Sequence, residues 1–271
     1  MKRLLEIEYI KQRHFKAFWI LLVLHFVLLA LLLFSFHPFL EFLDTKDFGL
    51  AAMIGVKPSD LPFFDFLDIW QNLTWIAGSF KFILAFIVVM SVCNEYSYKT
   101  VRQNIIDGLS KREFVYSKFL LVVILSAASS IFIWCCGMIL GFLYSPITGV
   151  EAIFANVAFV FAYFLELVVT LSFAMLFGFL LKRSGLSIML FVIYLFTEFI
   201  LWFNVDLGEN LAWLQRLAPG DAISNTIRWP FSKYFLRPVQ DYVGVADTFI
   251  AIAYIGVFVF LSYTLLKKRD L

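Results

Sequence analysis

Four polar residues lie inside stretches that are otherwise apolar, and they are the first candidates for chemistry. Lys81, Glu166 and Glu198 each fall in a run long enough to cross a bilayer, and Thr170 follows Glu166 by one helical turn. An ionised group there costs roughly 2.5–3.5 kcal/mol on insertion scales, so each must face protein, water or a partner. Similar depths predict that Lys81 can pair with Glu198. Glu166 and Thr170 predict either a polar spot on a translocation path or a structural contact between helices.

The residue patterns that most enzymes and metal sites require are absent from the sequence. No Gly is followed five positions later by Gly-Lys-Ser or Gly-Lys-Thr, the loop that holds nucleotide phosphates, so any ATP has to be bound by another chain. His14, His25 and His37 form no His-Glu-x-x-His motif, and the three cysteines cannot build a disulfide framework. We therefore predict that this chain has no catalytic residue, no metal site and no cofactor of its own.

The polar segment 94–113 carries most of the remaining candidate residues. A helix over about 97–107 places its apolar residues on one stripe, with Arg102 and Gln103 elsewhere. Gly108 then permits a turn, and a Ser-x-x-Glu capping box begins the next helix. A short rigid helix with a polar rim is the kind of element on which a partner protein docks. The competing interpretation is a solvated basic loop with no docking role.

The elements that position these residues are membrane helices. Hydrophobic residues make up 62% of the 271 residues and charged residues only 15%, which excludes a water-soluble globule. A net charge of +2 gives no indication of nucleic-acid binding. We predict an all-α polytopic integral membrane protein that forms one domain over residues 1–271. Its six predicted spans cover about 17–36, 73–93, 114–144, 151–181, 186–204 and 246–266.

The distribution of Lys and Arg predicts how the chain is oriented. Fifteen of these residues lie on the side that carries both termini and six on the opposite side, so we expect both termini in the cytoplasm. Two further helical regions are predicted outside the spans. Residues 2–16 form an interfacial helix before the first span, and short external amphipathic helices precede the last span, one of them marked by Leu207, Leu211, Leu214 and Leu217.

Seven residues around this loop have the order and spacing of a known transporter family: Glu95, Thr100, Arg102, Ser110, Lys111, Arg112 and Lys118. They resemble the permeases of type-2 exporter-class ATP-binding cassette (ABC) transporters. In that family an acidic residue closes span two, and a Gly-Thr-x-Arg stretch forms a coupling helix. Lys99 stands where the family more often has Gly. The interfacial helix before span one resembles the family's elbow helix, and the segment before span six resembles its external hairpin.

The resemblance implies a function and a set of partners. The chain would be a permease of the bacterial cytoplasmic membrane that pairs with a second permease, identical or related. Cytoplasmic ABC ATPase subunits, which carry the ATP and Mg, would dock beneath each coupling helix. The residues expected to couple the permease to the ATPase are Glu95, Thr100, Arg102, Gln103, Lys111 and Arg112. Two other classes stay open: a polytopic membrane enzyme, which needs Glu166, Glu198 and a histidine around one cavity, and a scaffold or sensor that transports nothing.

Overall fold

Most of the residues that the structure describes are helical. A computed structural model describes residues 2–46, 57–204, 218–235 and 240–268, and no β-strand occurs in these ranges. Their α-helices are, in chain order, α1 (Lys2–Arg13), α2 (Lys16–Lys46), α3 (Ile69–Gly78), α4 (Lys81–Ser97), α5 (Thr100–Ile106), α6 (Lys111–Tyr144), α7 (Val150–Phe154), α8 (Ala158–Leu181), α9 (Ser184–Asn204), α10 (Pro219–Ser224) and α11 (Val245–Lys267).

Within the described residues, four segments are long and apolar enough to cross a membrane. They are Lys16–Thr45, Lys111–Tyr144, Val150–Leu181 and Val245–Lys267. The pair α3 and α4 makes a fifth if its two helices form one bent crossing. The apolar part of α9, Ser184–Glu198, is shorter. All-helical membrane architecture is confirmed with four or five candidate spans, and the sixth, at 186–204, stays a prediction.

The second predicted span, 73–93, is divided by a sharp bend that the hydropathy of the sequence did not reveal. Helices α3 and α4 meet at an angle of 47° across Ser79 and Phe80. The bend directly follows Gly78, and adjacent Gly and Ser residues are a recognised cause of helix kinks. At the bend, α3 comes close to α8. A Cβ added at Gly78 would lie only 3.3 Å from a carboxylate oxygen of Glu166.

Helix α8 occupies the centre of the bundle. It packs against α3, α4, α6, α9 and α11, and most of its side chains are buried. A helix that is apolar on all sides, as α8 is, becomes stable only when other helices or lipid surround it. The polar Glu166 and Thr170 on α8 therefore lie inside protein rather than against lipid.

Two glycines of α6 allow α3 and the segment before it to approach closely. A Cβ at Gly137 would lie 2.7 Å from the ring of Trp70, and a Cβ at Gly141 would overlap the ring of Phe66. Both rings are fully buried. The Gly-x-x-x-Gly pattern of the sequence thus marks a packing contact between helices, as expected for small residues at such spacing.

The connections at the end of the bundle opposite the termini pack on each other. Lys233 forms a salt bridge of 2.8 Å with Asp68, and the Asn72 side chain donates to the Tyr234 hydroxyl at 2.8 Å. Burial, with the nearby Asp68 carboxylate, raises the pKa of Asp65. Of the external helices predicted before the last span, α10 begins at Pro219, whereas the leucine repeat at 207–217 lies outside the described residues.

Candidate functional site

Helix α5 is a short, exposed helix between two long ones, and the chain geometry at both ends separates it from them. Lys99, just before it, is left-handed with φ of 58°, and Gly108, just after it, has φ of 92°. Glycine adopts this conformation at least cost, which agrees with the glycine that the family resemblance leads us to expect at the position of Lys99. The predicted capping box is present: the Ser110 hydroxyl accepts from the Glu113 amide at 3.2 Å, and the Glu113 carboxylate accepts from the Ser110 amide at 2.9 Å.

The carboxylate of Glu95, near the end of α4, joins α5 to the rest of the bundle. One oxygen accepts from the Thr100 hydroxyl at 2.5 Å and from the Asn104 amide at 3.2 Å, so it holds α5 at two successive turns. The other oxygen accepts from the ammonium groups of Lys11 and Lys118, each at 2.8 Å. Glu95 thereby links α1, α4, α5 and α6 through a single side chain.

Four charged residues, Glu8, Lys11, Glu95 and Lys118, form what we call the buried charge cluster. Lys118 is only 1% exposed, and its ammonium also donates to Glu8 at 3.0 Å. Two carboxylates and two ammonium groups balance to zero net charge, which is how a protein tolerates ions away from water. Hydroxyl and amide groups complete it: Ser117 donates to Glu8, and Gln12 and Lys118 both donate to the Ser91 hydroxyl.

Four residues of this site were not predicted from the sequence: Glu8, Lys11, Gln12 and Asn104. Glu8 and Gln12 occur one turn apart on α1, and both are buried although α1 is a largely polar helix. The sequence pattern that could have indicated their burial is a carboxylate and an amide on one face of a helix that ends in basic residues. This pattern does not indicate which residues Glu8 and Gln12 contact, because α4 and α6 are far from α1 in the sequence.

The outer surface of α5 is open to solvent. Arg102 and Gln103 are exposed, Ile106 is 74% exposed, and Tyr98 just before the helix is 76% exposed. Val101 on the opposite face is buried against the bundle. The outer face of α5 therefore presents apolar and polar side chains together, a composition suited to binding another protein. The inner face is held by the charge cluster.

Lys111 and Arg112 lie apart from Glu95, at the junction of α6 with α11. The Arg112 guanidinium donates to the Tyr263 hydroxyl at 3.2 Å and lies 5.4 Å from the centre of that ring. Lys111 donates to the backbone carbonyl of Lys267 at 3.3 Å. The six residues predicted to couple with an ATPase thus divide into three groups: Glu95 and Thr100 in or beside the charge cluster, Arg102 and Gln103 on the open face, and Lys111 and Arg112 against the last helix.

The polar residues within the bundle form a second site near the bend between α3 and α4. Lys81 pairs with Glu166 at 2.6 Å, and both side chains are largely buried. The prediction that Lys81 pairs with Glu198 is wrong, because the Glu198 carboxylate accepts instead from the backbone amides of Gly220 and Asp221, at 2.8 and 3.2 Å. Counting residues from the membrane surface gives depth, but it does not give the direction in which a side chain points around its helix.

Lys81 nonetheless shares a cavity with each of the two carboxylates. It lines a cavity of about 350 Å³ together with Glu198 and Gly220, and a neighbouring cavity of about 250 Å³ together with Glu166. Thr170 does not contribute a free polar group there, because its hydroxyl is buried and donates to the Glu166 carbonyl at 2.8 Å.

The family model described as "ABC-2 family transporter protein" matches residues 4–198 of the chain. That match covers well over half of the sequence and includes the charge cluster, α5 and the polar residues within the bundle. The chain belongs to the ABC-2 transporter family. A search of curated proteins returned no match.

Membership of the ABC-2 family identifies the chain as a transmembrane permease component of an ABC transporter, a class that associates with ABC ATPases and is generally not catalytic itself. In the described part of the structure, the groups that the membrane-enzyme alternative needs have separate hydrogen-bond partners. Glu166 pairs with Lys81, Glu198 accepts from backbone amides of α10, and His25 contacts Ser129 at 3.0 Å.

Proposed function

We propose that this ABC-2 permease is the membrane subunit of an ATP-driven exporter and that α5 is its coupling helix. The observation that carries the proposal is that the exposed helix α5 is attached through Glu95 to three other helices at once. ATP and Mg would be bound by a separate ATPase subunit that docks on the outer surface of α5. The cargo would leave the cytoplasm between this chain and a second permease, identical or related.

The buried charge cluster would transmit movement from α5 into the membrane. A force applied to Arg102 and Gln103 on the open face reaches Glu95 through Thr100 and Asn104, over hydrogen bonds of 2.5 and 3.2 Å. From Glu95 it passes through Lys11 to α1 and through Lys118 to α6. Groups buried in a low-dielectric region hold their partners more strongly than exposed groups do, so the helices would move together.

The membrane arrangement we propose uses the bent pair α3 and α4 as one crossing and α9 as another. With the four longer segments this gives six spans and leaves both termini on the same side. The excess of Lys and Arg on that side supports its placement in the cytoplasm, and the membrane would be the bacterial cytoplasmic membrane. The exposed face of α5 would then lie in the compartment that contains ATP.

The proposal predicts the effect of reversing one exposed charge on α5. Arg102→Glu should leave the permease folded, since Arg102 is exposed, but should abolish stimulation of the co-purified ATPase by the permease. The expected loss is at least about tenfold, because an interfacial charge reversal commonly costs several kcal/mol. The measurement is ATP hydrolysis by the complex reconstituted in lipid, compared with the ATPase alone.

Arg183→Glu is the matched control. Arg183 is also exposed and follows α8 at the same end of the bundle, but it lies outside α5 and its cluster. It should retain full stimulation. Equal stimulation by wild type, the Arg102 variant and the Arg183 variant would contradict the assignment of α5 as the docking element.

A further inference from the structure

A groove between α6 and α11 combines apolar walls with a basic and aromatic rim. Its volume is about 390 Å³, and its walls include Val115, Val259 and Phe260. Arg112 and Tyr263 lie at the end of the groove nearest the termini, where α6 begins and α11 approaches its end. The proposed coupling mechanism does not use this groove.

The charge at the rim is strongly positive. Arg112 is held by Tyr263, Lys111 precedes it, and exposed Lys267 and Lys268 end the neighbouring helix. The adjacent acidic residue, Glu113, directs its carboxylate to the amide and hydroxyl of Ser110, at 2.9 and 2.7 Å. A rim of several cations above an apolar groove complements a molecule that has an anionic head and a hydrocarbon tail.

The depth of the groove suits an acyl chain. Gly256 lines it and lies seven residues before Tyr263 on α11, which is about 10 Å along the helix axis. A Cβ placed at Gly256 would meet no atom within 4 Å, so the absent side chain leaves open space in the wall. An acyl chain running inward from the Arg112 end would fill that space.

We infer that this groove binds one anionic glycerophospholipid, with its phosphate on Arg112 and an acyl chain beside Gly256. Arg guanidinium groups bind phosphate oxygens with charge-assisted hydrogen bonds, and the groove walls exclude water from the chain. The bound lipid would hold the end of α11 against the start of α6. The inference concerns the chain alone and does not require that an ATPase docks on α5.

Native mass spectrometry of the purified full-length chain in mild detergent tests this inference. The chain would be titrated separately with dioleoyl phosphatidylglycerol and dioleoyl phosphatidylcholine, which share their acyl chains and differ in headgroup charge. Wild type should bind the first phosphatidylglycerol about tenfold more tightly than phosphatidylcholine, since several basic residues lie near the position of the anionic headgroup.

Three variants and two controls locate the site. Arg112→Ala should lose the headgroup preference, and Arg112→Lys should keep part of it. Gly256→Leu should weaken the first adduct of both lipids, because the new side chain occupies the groove. Arg13→Ala removes an exposed charge at the same end, and Gly185→Leu adds the same bulk at another open glycine, so both should behave as wild type. Each variant should elute as a single species before its lipid binding is scored.

Several results would overturn the inference. Equal binding of the two lipids by wild type, or an unchanged preference in the Arg112→Ala variant, would remove the headgroup site. Competition by soluble sn-glycerol 3-phosphate would indicate a free phosphate site instead of a lipid site. Loss of a dimer in the Gly256→Leu variant, with the phosphatidylglycerol adduct intact, would show that the groove is covered by a second copy of the chain.

Discussion

Lys118 shows how strongly single residues are constrained at the site. Its ammonium is almost completely removed from water and is held by two carboxylates, those of Glu8 and Glu95, at 3.0 and 2.8 Å. Removing one member of a buried ionic group leaves the others without compensation, and such a change typically costs about 3–5 kcal/mol. The cluster therefore couples the stability of the bundle to the position of α5.

Lys118→Met should destabilise the chain by about 3–5 kcal/mol, because Glu8 and Glu95 then face each other with only Lys11 to offset them. The melting temperature in detergent should fall by roughly 10 °C. Removing one of the two carboxylates as well, in the double variant Glu8→Gln with Lys118→Met, should recover part of the loss.

Lys16→Met provides the comparison, since Lys16 is exposed and the same substitution there should change stability by less than about 0.5 kcal/mol. If Lys118→Met melted at the same temperature as Lys16→Met, the cluster would have no structural importance.

The sequence identified the right types of polar residue but only some of their partners. Lys81 was correctly expected to lie inside the bundle and to find an acidic partner, yet that partner is Glu166. The three carboxylate and ammonium groups near the bend lie on three different helices. The rotation of each helix about its axis depends on packing that no local pattern encodes.

At the scale of helices, caps and turns were the features that local sequence predicted best. The Ser110 capping box begins α6 where predicted, and Gly108 permits the turn that ends α5. Helix α5 itself begins at Thr100 instead of about residue 97, because α4 continues to Ser97. Likewise α2 continues to Lys46, beyond the predicted end of its span at 36, because hydropathy reports the apolar length of a helix and not its full extent.

The close contact between α6 and α3 leads to a prediction about Gly137. Gly137→Ala should destabilise the chain by about 1–3 kcal/mol, because the new methyl group would lie 2.7 Å from the buried Trp70 ring and the packed core has no room to adjust. Thermal unfolding in detergent is the measurement.

Gly256→Ala serves as its control on another membrane helix. With no atom within 4 Å of the added methyl group, this substitution should be neutral or stabilising by up to about 1 kcal/mol. Equal stability of the two variants would mean that α6 and α3 do not pack as closely as described.

The whole molecule has two ends with different chemistry. At the end that carries the termini, the charge cluster, α5 and the basic groove lie within a few turns of one another along α4, α6 and α11. At the opposite end, the connections pack through Lys233, Asp68 and aromatic rings. Energy supplied at α5 would enter through the first end, and the cavities beside Lys81 lie at the other end of α4.

Site-specific crosslinking from α5 tests the central claim most directly. A photoreactive amino acid would replace Ile106, whose side chain is 74% exposed, and in a second strain would replace Ile147, which is 43% exposed at the opposite end. After irradiation of intact cells, mass spectrometry would identify the captured proteins. We predict that position 106 captures an ABC ATPase and that position 147 does not. Failure to capture an ATPase at position 106, or its capture at position 147, would contradict the assignment of α5 as the coupling helix.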